Sequence, residues 1–534
     1  MDRLSVDRIE DRKKNYQKGV DILEMKKKRE EGAIQLRKKK RNEHICKKRA
    51  MGVDRIVASN DMRDYQPNTF SFPAEMVPAV LEKRDQRLAA PDYSAFQRFT
   101  LLVHFIIAEE DEAVLTEAAK VLRKLLAGNS QPSLKTLVEI GISSKLIKLL
   151  SSKNENLLSE VSWCLINLSS GPADISSVML NQNIAKTLAQ VLEKCESVEL
   201  ANNFAWILGN ISADSIDNRD TILETGVVKT LVGFINENFN GSSFVIWTLS
   251  NLSKGKPMPE EHIILDLLKI FPRAIETDNE DILVDACWIL SNITDGEKYI
   301  DKVSDIGIIP KLIDLLAHPS QDVQGFASRV IGNIIVNSDK YTRTLLNLGI
   351  LDNLGALLYH PRRSLKKEAL LSLGNFLFGN DEQVELVISH PCMKNIVRFL
   401  LDADQNIRYE ALWAIGNATH TSNRNIIKKL EKYEVLKSLV ENLKDKHPKT
   451  LVVALKAIDC ILEAGTQTSA DTGINMLAYK FQELGGVDML EFLQSHPNVT
   501  IYNIAVHIMM KYYGVEEDVD ENLNGSESNG FVFS

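Results

Sequence analysis

The sequence predicts an all-α fold in which about ten short helical repeats stack into a right-handed superhelical solenoid. Three observations lead to this prediction: a Trp and an Asn recur four residues apart, the pairs return at a nearly constant step, and a glycine followed by an apolar helix recurs with them. The chain has 534 residues, of which 44% are hydrophobic and 25% charged. This length and composition indicate several domains or a repeat array, and argue against a largely disordered chain.

Each of the five tryptophans is followed four residues later by an asparagine, and residues at that spacing share one face of a helix. Two further units, RVIGN and LSLGN, place Arg329 and Leu371 in the Trp position. The steps between successive asparagines are 41 to 43 residues, which is typical of armadillo or HEAT arrays. The seven pairs are Trp163/Asn167, Trp206/Asn210, Trp247/Asn251, Trp288/Asn292, Arg329/Asn333, Leu371/Asn375 and Trp413/Asn417.

Four units also contain a glycine that precedes an apolar helical pattern: Gly141, Gly226, Gly307 and Gly349. A glycine between two helical patterns indicates the break between helices. Less regular units at 91–130 and 431–513 are expected to cap the array. We therefore predict a basic domain at 1–55, a linker and entry to the first repeat at 56–90, armadillo repeats at 91–513 and an acidic, disordered tail at 514–534.

Two interpretations of the Trp and Asn positions follow from their chemistry. In the structural one, Trp fills the core and Asn caps or bridges adjacent helices. In the functional one, both line a concave groove, where carboxamides hold the backbone of an extended peptide and Trp faces stack on Lys or Arg stems. Four carboxylates lie near the pairs in a repeated register and would neutralise the basic heads: Asp214, Asp285, Glu368 and Glu410.

The charge distribution limits the possible partners. Residues 1–50 contain 18 Lys+Arg and 9 Asp+Glu, whereas the rest of the chain contains 45 and 63. An acidic body opposes direct nucleic-acid binding through the repeats, and the basic arm can contact that body.

We expect no membrane-spanning helix, no signal peptide and reduced cysteines. The Asn-x-Ser/Thr triplets at five of the pairs then need an explanation other than glycosylation.

With these motifs, the sequence resembles the importin α family, the nuclear import adaptors that bind classical nuclear localisation signals. The resemblance covers nearly the whole chain and includes the basic segment DILEMKKKREEGAIQLRKKKRNEHICKKR, which is similar to the family's importin-β-binding domain. It implies a major signal-binding site at Trp163, Asn167, Trp206, Asn210, Trp247 and Asn251, with Asp285, Trp288 and Asn292 at its edge and a lysine pocket at Gly171, Ser176 and Asp214.

The same resemblance implies a minor site at Arg329, Asn333, Glu368, Leu371, Asn375, Glu410, Trp413 and Asn417. Leu371 stands where the family has a Trp, so we expect a weakened minor site. The arm residues that would bind importin β, or fold back into the groove when importin β is absent, are Arg12, Lys13, Lys18, Lys28, Arg29, Arg37, Lys38, Lys47, Lys48 and Arg49.

The resemblance further implies cargo proteins with Lys/Arg-rich signals, importin β, and a recycling export receptor with Ran-GTP as partners. It implies shuttling between cytoplasm and nucleus, no cofactor and no metal. An enzyme is disfavoured because the chain lacks the common nucleotide-binding, metalloprotease and hydrolase motifs. An armadillo scaffold or signalling protein that binds another extended peptide remains the alternative, since fold alone does not fix function.

Overall fold

The computed structural model describes residues 76–90, 94–127, 134–420, 423–468 and 474–514. The proposed arm residues from Arg12 to Arg49 lie outside these ranges, and so does the acidic tail after its first residue, Gly514. The described residues contain thirty α-helices and no strand, and the helices group in chain order into ten sets of three. The predicted all-α armadillo solenoid is thereby confirmed.

By contacts, the chain divides into two compact units that meet in sequence between Ile293 and Thr294. The first contains five sets of helices. They are α1 Ala79–Arg84, α2 Ala95–Ala108, α3 Glu112–Ala127; α4 Leu134–Ile140, α5 Ile142–Leu149, α6 Glu155–Ser169; α7 Ala173–Asn181, α8 Ile184–Leu192, α9 Val198–Asp214; α10 Ile216–Leu223, α11 Val227–Glu237, α12 Ser243–Leu252; and α13 Glu261–Leu268, α14 Phe271–Ala274, α15 Glu280–Ile293.

The second unit contains the other five sets. They are α16 Ile300–Asp305, α17 Ile309–Leu315, α18 Gln321–Asn337; α19 Asp339–Asn347, α20 Ile350–Leu357, α21 Arg363–Leu377; α22 Asp381–Ser389, α23 Cys392–Phe399, α24 Gln405–Thr419; α25 Arg424–Glu431, α26 Val435–Asn442, α27 Pro448–Thr468; and α28 Met476–Glu483, α29 Gly486–Leu493, α30 Val499–Tyr513.

The third helix of each set packs against the third helix of the next set within the same unit. In the first unit, α3, α6, α9, α12 and α15 follow one another in this way, and in the second unit α18, α21, α24, α27 and α30 do. Buried apolar side chains, mostly Leu, Ile and Val, come from all three helices of each set and form the core of each unit. All seven Trp–Asn pairs lie on third helices, so successive pairs within a unit lie on adjacent helices.

In seven of the ten described sets, the turn between the first and second helices contains a left-handed residue. Gly141, Gly226, Gly307 and Gly349 all have positive φ, between 74° and 100°, as predicted for the glycines between helical patterns. In two other sets the same turn is made by Asn183, with φ 63°, and Glu434, with φ 55°. Asn tolerates this region better than most residues, whereas a Glu there is uncommon.

Candidate peptide-binding site

The asparagines of the row form a ladder of hydrogen bonds to the preceding repeat. In three cases the amide nitrogen donates to a hydroxyl that stands two residues after the previous asparagine. The Nδ2–oxygen distances are 3.0 Å for Asn210 and Ser169 Oγ, 3.1 Å for Asn292 and Ser253 Oγ, and 3.2 Å for Asn333 and Thr294 Oγ1. Three of the five Asn-x-Ser/Thr triplets are thus explained, because the hydroxyls of Ser169, Ser253 and Thr294 accept from the asparagine of the next repeat.

The other bridges use a backbone carbonyl. Asn251 Nδ2 donates to Gly209 O at 3.3 Å, and Asn417 Nδ2 donates to Gly374 O at 2.9 Å. Asn375 differs, since its Nδ2 is buried and has no hydrogen-bond partner within the described residues. Ile335 occupies the position where earlier repeats have a hydroxyl, so the preceding helix offers Asn375 no side-chain acceptor there.

The structural interpretation of the asparagines therefore holds for five of them, and it is compatible with the functional one. A carboxamide has two N–H donors and an acceptor oxygen, and a single bridging bond uses one donor. That bond holds the amide in a fixed orientation on its helix. A fixed carboxamide is better prepared to hold a peptide backbone than a freely rotating one, because less conformational entropy is lost on binding.

The tryptophans are not equally accessible. Trp163, Trp247 and Trp413 are partly exposed, whereas Trp206 is 0% exposed and Trp288 6%. The Trp163 and Trp206 rings meet edge to face with centroids 5.7 Å apart. The Trp206 ring stacks on Phe244 at 4.1 Å and an interplanar angle of 11°. The stacked neighbour of Trp206 in this chain is thus Phe244, so this indole also serves as packing.

Phe244 was missed by the sequence analysis, although its register carries a signal. It lies three residues before Trp247, the register in which Asp285 precedes Trp288. Another close contact explains a glycine in the row: a Cβ on Gly209 would lie 2.3 Å from Trp247 Cζ3. Only glycine lets the Trp247 ring lie this close to the preceding helix.

The four predicted carboxylates have different surroundings. Asp214 is exposed at the C-terminal end of α9, and Glu368 is half-buried on α21. Asp285 is buried and accepts a hydrogen bond from Ser250 Oγ at 3.1 Å. Glu410 is also buried, and Lys367 Nζ lies 3.1 Å from its carboxylate. Buried carboxylates require partners, and the chain itself supplies one to each of these two.

The residues of the predicted lysine pocket lie on two helices that contact each other, α7 and α9, and on the turn between α6 and α7. Gly171 lies in that turn. Ser176 is fully buried on α7, and its hydroxyl has no hydrogen-bond partner within the described residues. Asp214 completes the set from the end of α9.

A buried arginine that the sequence analysis missed stabilises the loop next to Asp214. Arg219 on α10 is 1% exposed and donates to the carbonyl oxygens of Lys254 and, at 3.0 Å, Pro257. Lys254 Nζ in turn donates to Ala213 O at 2.9 Å. This chain of contacts connects the loop after α12 to the C-terminal end of α9, the position of Asp214.

In the second unit, Trp413 and Asn417 line a cavity of about 310 Å³ between α24, α27 and the start of α30. The aromatic side chains around it are Phe378, Tyr409, Trp413 and His420, and the rings of Phe378 and His420 stack at 6.1 Å. Burial, with a further contribution from Glu410, raises the pKa of Tyr409 to about 12. Its hydroxyl therefore stays protonated at neutral pH and is able to donate a hydrogen bond.

The described residues contain no group of three or more His, Cys, Asp or Glu side chains arranged to hold a metal ion. No helix in the described part of the chain is long and apolar enough to cross a membrane.

The five described cysteines are free thiols. Burial raises the pKa of Cys287 and of Cys392 to about 12, which keeps these thiols protonated and unreactive.

Comparison with known proteins identifies the family. Residues 12–89 match the importin beta binding domain, residues 380–420 an armadillo/beta-catenin-like repeat, and residues 475–526 an atypical Arm repeat. The solved structure of an engineered protein has a TM-score of 0.68 at 22% identity, covering 77% of this chain and 98% of the other, which supports the fold alone.

Full-length relatives are more informative. Importin subunit alpha-B of Dictyostelium discoideum is 43% identical over 530 residues, covering 98% of this chain and 97% of the relative. Importin subunit alpha-4 of Arabidopsis thaliana is 33% identical over 530 residues, covering 98% and 95%. With these full-length relatives and a segment that matches the importin beta binding domain, the chain belongs to the importin α family of nuclear import adaptors.

Proposed function

We propose that the Trp–Asn row of this adaptor binds the extended Lys/Arg-rich signals of cargo proteins, with the major site in the first unit and the minor site in the second. The asparagine ladder is the observation that carries this proposal. It holds carboxamides in place on α9, α12 and α15 of the first unit and on α18 and α24 of the second. Each can contact a peptide backbone whatever the sequence of the peptide.

Selectivity for basic residues comes from the indoles and the acidic side chains. The partly exposed Trp163, Trp247 and Trp413 can stack on Lys or Arg stems. Asp214, exposed at the end of α9, supplies the charge partner for the lysine that enters the Gly171/Ser176 pocket. Because Asp285 and Glu410 are buried, whereas Asp214 is exposed, we assign the two buried carboxylates a weaker, longer-range contribution.

The arm supplies the link to importin β and a switch. When importin β is absent, Lys47, Lys48 and Arg49 fold back into the groove as an internal signal and compete with cargo. A tethered ligand acts at an effective concentration of about 1 mM, so it weakens cargo binding about tenfold even if its own Kd is about 0.1 mM. Importin β removes the arm from the groove, and the adaptor then binds cargo.

The test is binding of a fluorescent Lys-rich signal peptide to the full chain. Replacing Lys47, Lys48 and Arg49 together by alanine is expected to tighten binding by about tenfold or more. Addition of importin β is expected to raise the peptide affinity of the unmodified chain by a similar factor. It should raise the affinity of the substituted chain little further. Equal affinities of the substituted and unmodified chains, each without importin β, would contradict the switch, and no binding in any form would contradict the site.

The minor site contains Leu371 in place of an aromatic residue, and Leu371→Trp tests the consequence. A Trp there adds a stacking wall worth about 0.5 to 2 kcal/mol, so the affinity for the short basic cluster of a bipartite signal is expected to rise roughly 2- to 30-fold. The measurement compares a bipartite peptide with its monopartite half on both chains. The monopartite half, which occupies the major site, serves as the control and should bind both chains alike; no gain for the bipartite peptide would refute the prediction.

The adaptor's cycle completes the proposal. We infer that it acts by binding rather than by catalysis, shuttles between cytoplasm and nucleus, and returns through an export receptor acting with Ran-GTP. These steps are supported by membership of the family. The last repeats, from α25 to α30, and the acidic residues that follow them would form the contact with the export receptor.

A further inference from the structure

The cavity beside Trp413 and Asn417 reverses the charge preference of the row. Its lining, which lies wholly within the described residues, includes Lys449 and Lys456 and no Asp or Glu. One repeat earlier, on α21, the half-buried Glu368 lies three residues before Leu371, the residue in the Trp position. A bound basic peptide would therefore pass from an acidic to a cationic environment between α21 and α27.

Lys456 has a specific place in the repeat. It lies 43 residues after Trp413, where the repeat step places the next Trp equivalent, and Cys460 occupies the corresponding Asn position. The Trp–Asn row thus ends at α27 with an ammonium group in place of an indole. The remaining lining offers polar groups that could hold an anion, among them Tyr409, Asn417 and Asn498.

We propose that this cavity, the Lys449/Lys456 pocket, binds an acidic side chain of the cargo peptide that lies close to the basic pair bound at Trp413. The proposal rests on the proposed function, because the pocket shares Trp413 and Asn417 with the minor site. Its occupant is a carboxylate of the bound peptide, whose charge complements the two lysines of the lining. The volume of about 310 Å³ is large enough for a single side chain.

The distance between helices fixes where that acidic residue belongs. Packed helices lie about 8–10 Å apart, and an extended peptide advances about 3.3 Å per residue. About three residues therefore separate the contact at α24 from the contact at α27. The acid should lie about three residues from the basic pair, on whichever side faces α27.

Because the protein is acidic overall, a preference for peptides with an added Glu would indicate a local cationic site. Beyond residue 50 the chain has 63 acidic and 45 basic residues, so its general field repels a peptide that carries an extra carboxylate. A gain in affinity from an added Glu would thus require a local cationic site. A general electrostatic effect would have the opposite sign.

The experiment measures binding of fluorescent peptides, in the presence of importin β, to the full chain carrying Asp214→Lys. That substitution weakens the major site, so the peptides report the minor site. Each peptide carries one Lys-Arg pair with a Glu or a Gln three residues before it or three residues after it. In one of the two positions, the Glu peptide is expected to bind about two- to tenfold more tightly than the Gln peptide, since each exposed ion pair contributes modestly. High salt should reduce the difference.

Variants then locate the effect. Lys449→Gln with Lys456→Gln is expected to abolish the preference for Glu, and Lys456→Glu is expected to reverse it in favour of a peptide with Lys at that position. Lys432→Gln, which removes an exposed lysine outside the cavity, is the matched control and should leave the preference unchanged.

The outcomes separate the two proposals. Equal binding of Glu and Gln peptides in both positions overturns the Lys449/Lys456 pocket while leaving the minor site intact. A preference that survives the double substitution also overturns it. Failure of every peptide to bind overturns the minor site itself, and this inference with it.

Discussion

Replacing Asp214 by lysine is expected to weaken binding of a Lys-rich signal peptide by at least about 30-fold. Asp214 lies one helical turn beyond Asn210 on α9, so both side chains lie on the same face of that helix. The substitution removes the charge partner of the bound lysine and puts a like charge in its place. Loss of one partner of a desolvated charge pair costs about 2 kcal/mol or more, which corresponds to the stated factor.

The measurement is peptide anisotropy on the full chain with importin β present. Glu224→Lys is the matched control, since Glu224 is also an exposed acid at the C-terminal end of a helix, α10. It changes the net charge equally but does not belong to the proposed pocket, so its effect should be small. If both variants lost the same amount of peptide affinity, the effect would come from the overall charge of the protein, which would contradict the proposed pocket.

The periodic features of the fold were predictable because they repeat. The Trp-to-Asn spacing and the 41- to 43-residue step predicted a solenoid, and the described residues contain the expected ten sets of helices. The glycines that precede apolar helices have positive φ, as their positions indicated. Asn183 and Glu434 make the same turn without glycine, and no simple pattern identifies a Glu at such a position.

The site was predictable in its residues but not in its contacts. The five Asn-x-Ser/Thr triplets were visible in the sequence. Three of their hydroxyls pair with the asparagine of the next repeat, and this pairing depends on how adjacent helices pack. The stacking of Phe244 on Trp206 is likewise a contact between neighbouring helices. The internal partners of Asp285 and Glu410 also come from the preceding third helix, at distances that the sequence does not reveal.

Arg219 is the clearest case of a residue whose role only the fold reveals, because its partners are backbone carbonyls 35 and 38 residues further along the chain. We expect Arg219→Met to lower the free energy of unfolding of the first unit by about 3 kcal/mol. Methionine fills much of the same volume but leaves the carbonyls of Lys254 and Pro257 without donors, and each buried unsatisfied group costs about 1–3 kcal/mol. Asp220 also pairs with Arg219, but its side chain is partly exposed. Loss of this ion pair should cost little stability, since water can solvate the carboxylate in place of the guanidinium.

Arg219→Met should also weaken peptide binding. Lys254 donates to Ala213 O, directly before Asp214, so a displaced Lys254 loosens the end of α9 that presents the carboxylate. Faster amide hydrogen exchange at 253–258 and 211–214, a lower urea midpoint and a several-fold weaker signal peptide are therefore expected together. Arg219→Lys, which keeps one donor group and the charge, should give an intermediate result. If Arg219→Met lowers stability but leaves exchange at 211–214 and peptide affinity unchanged, Arg219 stabilises its loop without positioning Asp214. If stability is also unchanged, the two carbonyls find other donors, and the buried arginine is not what holds this loop in place.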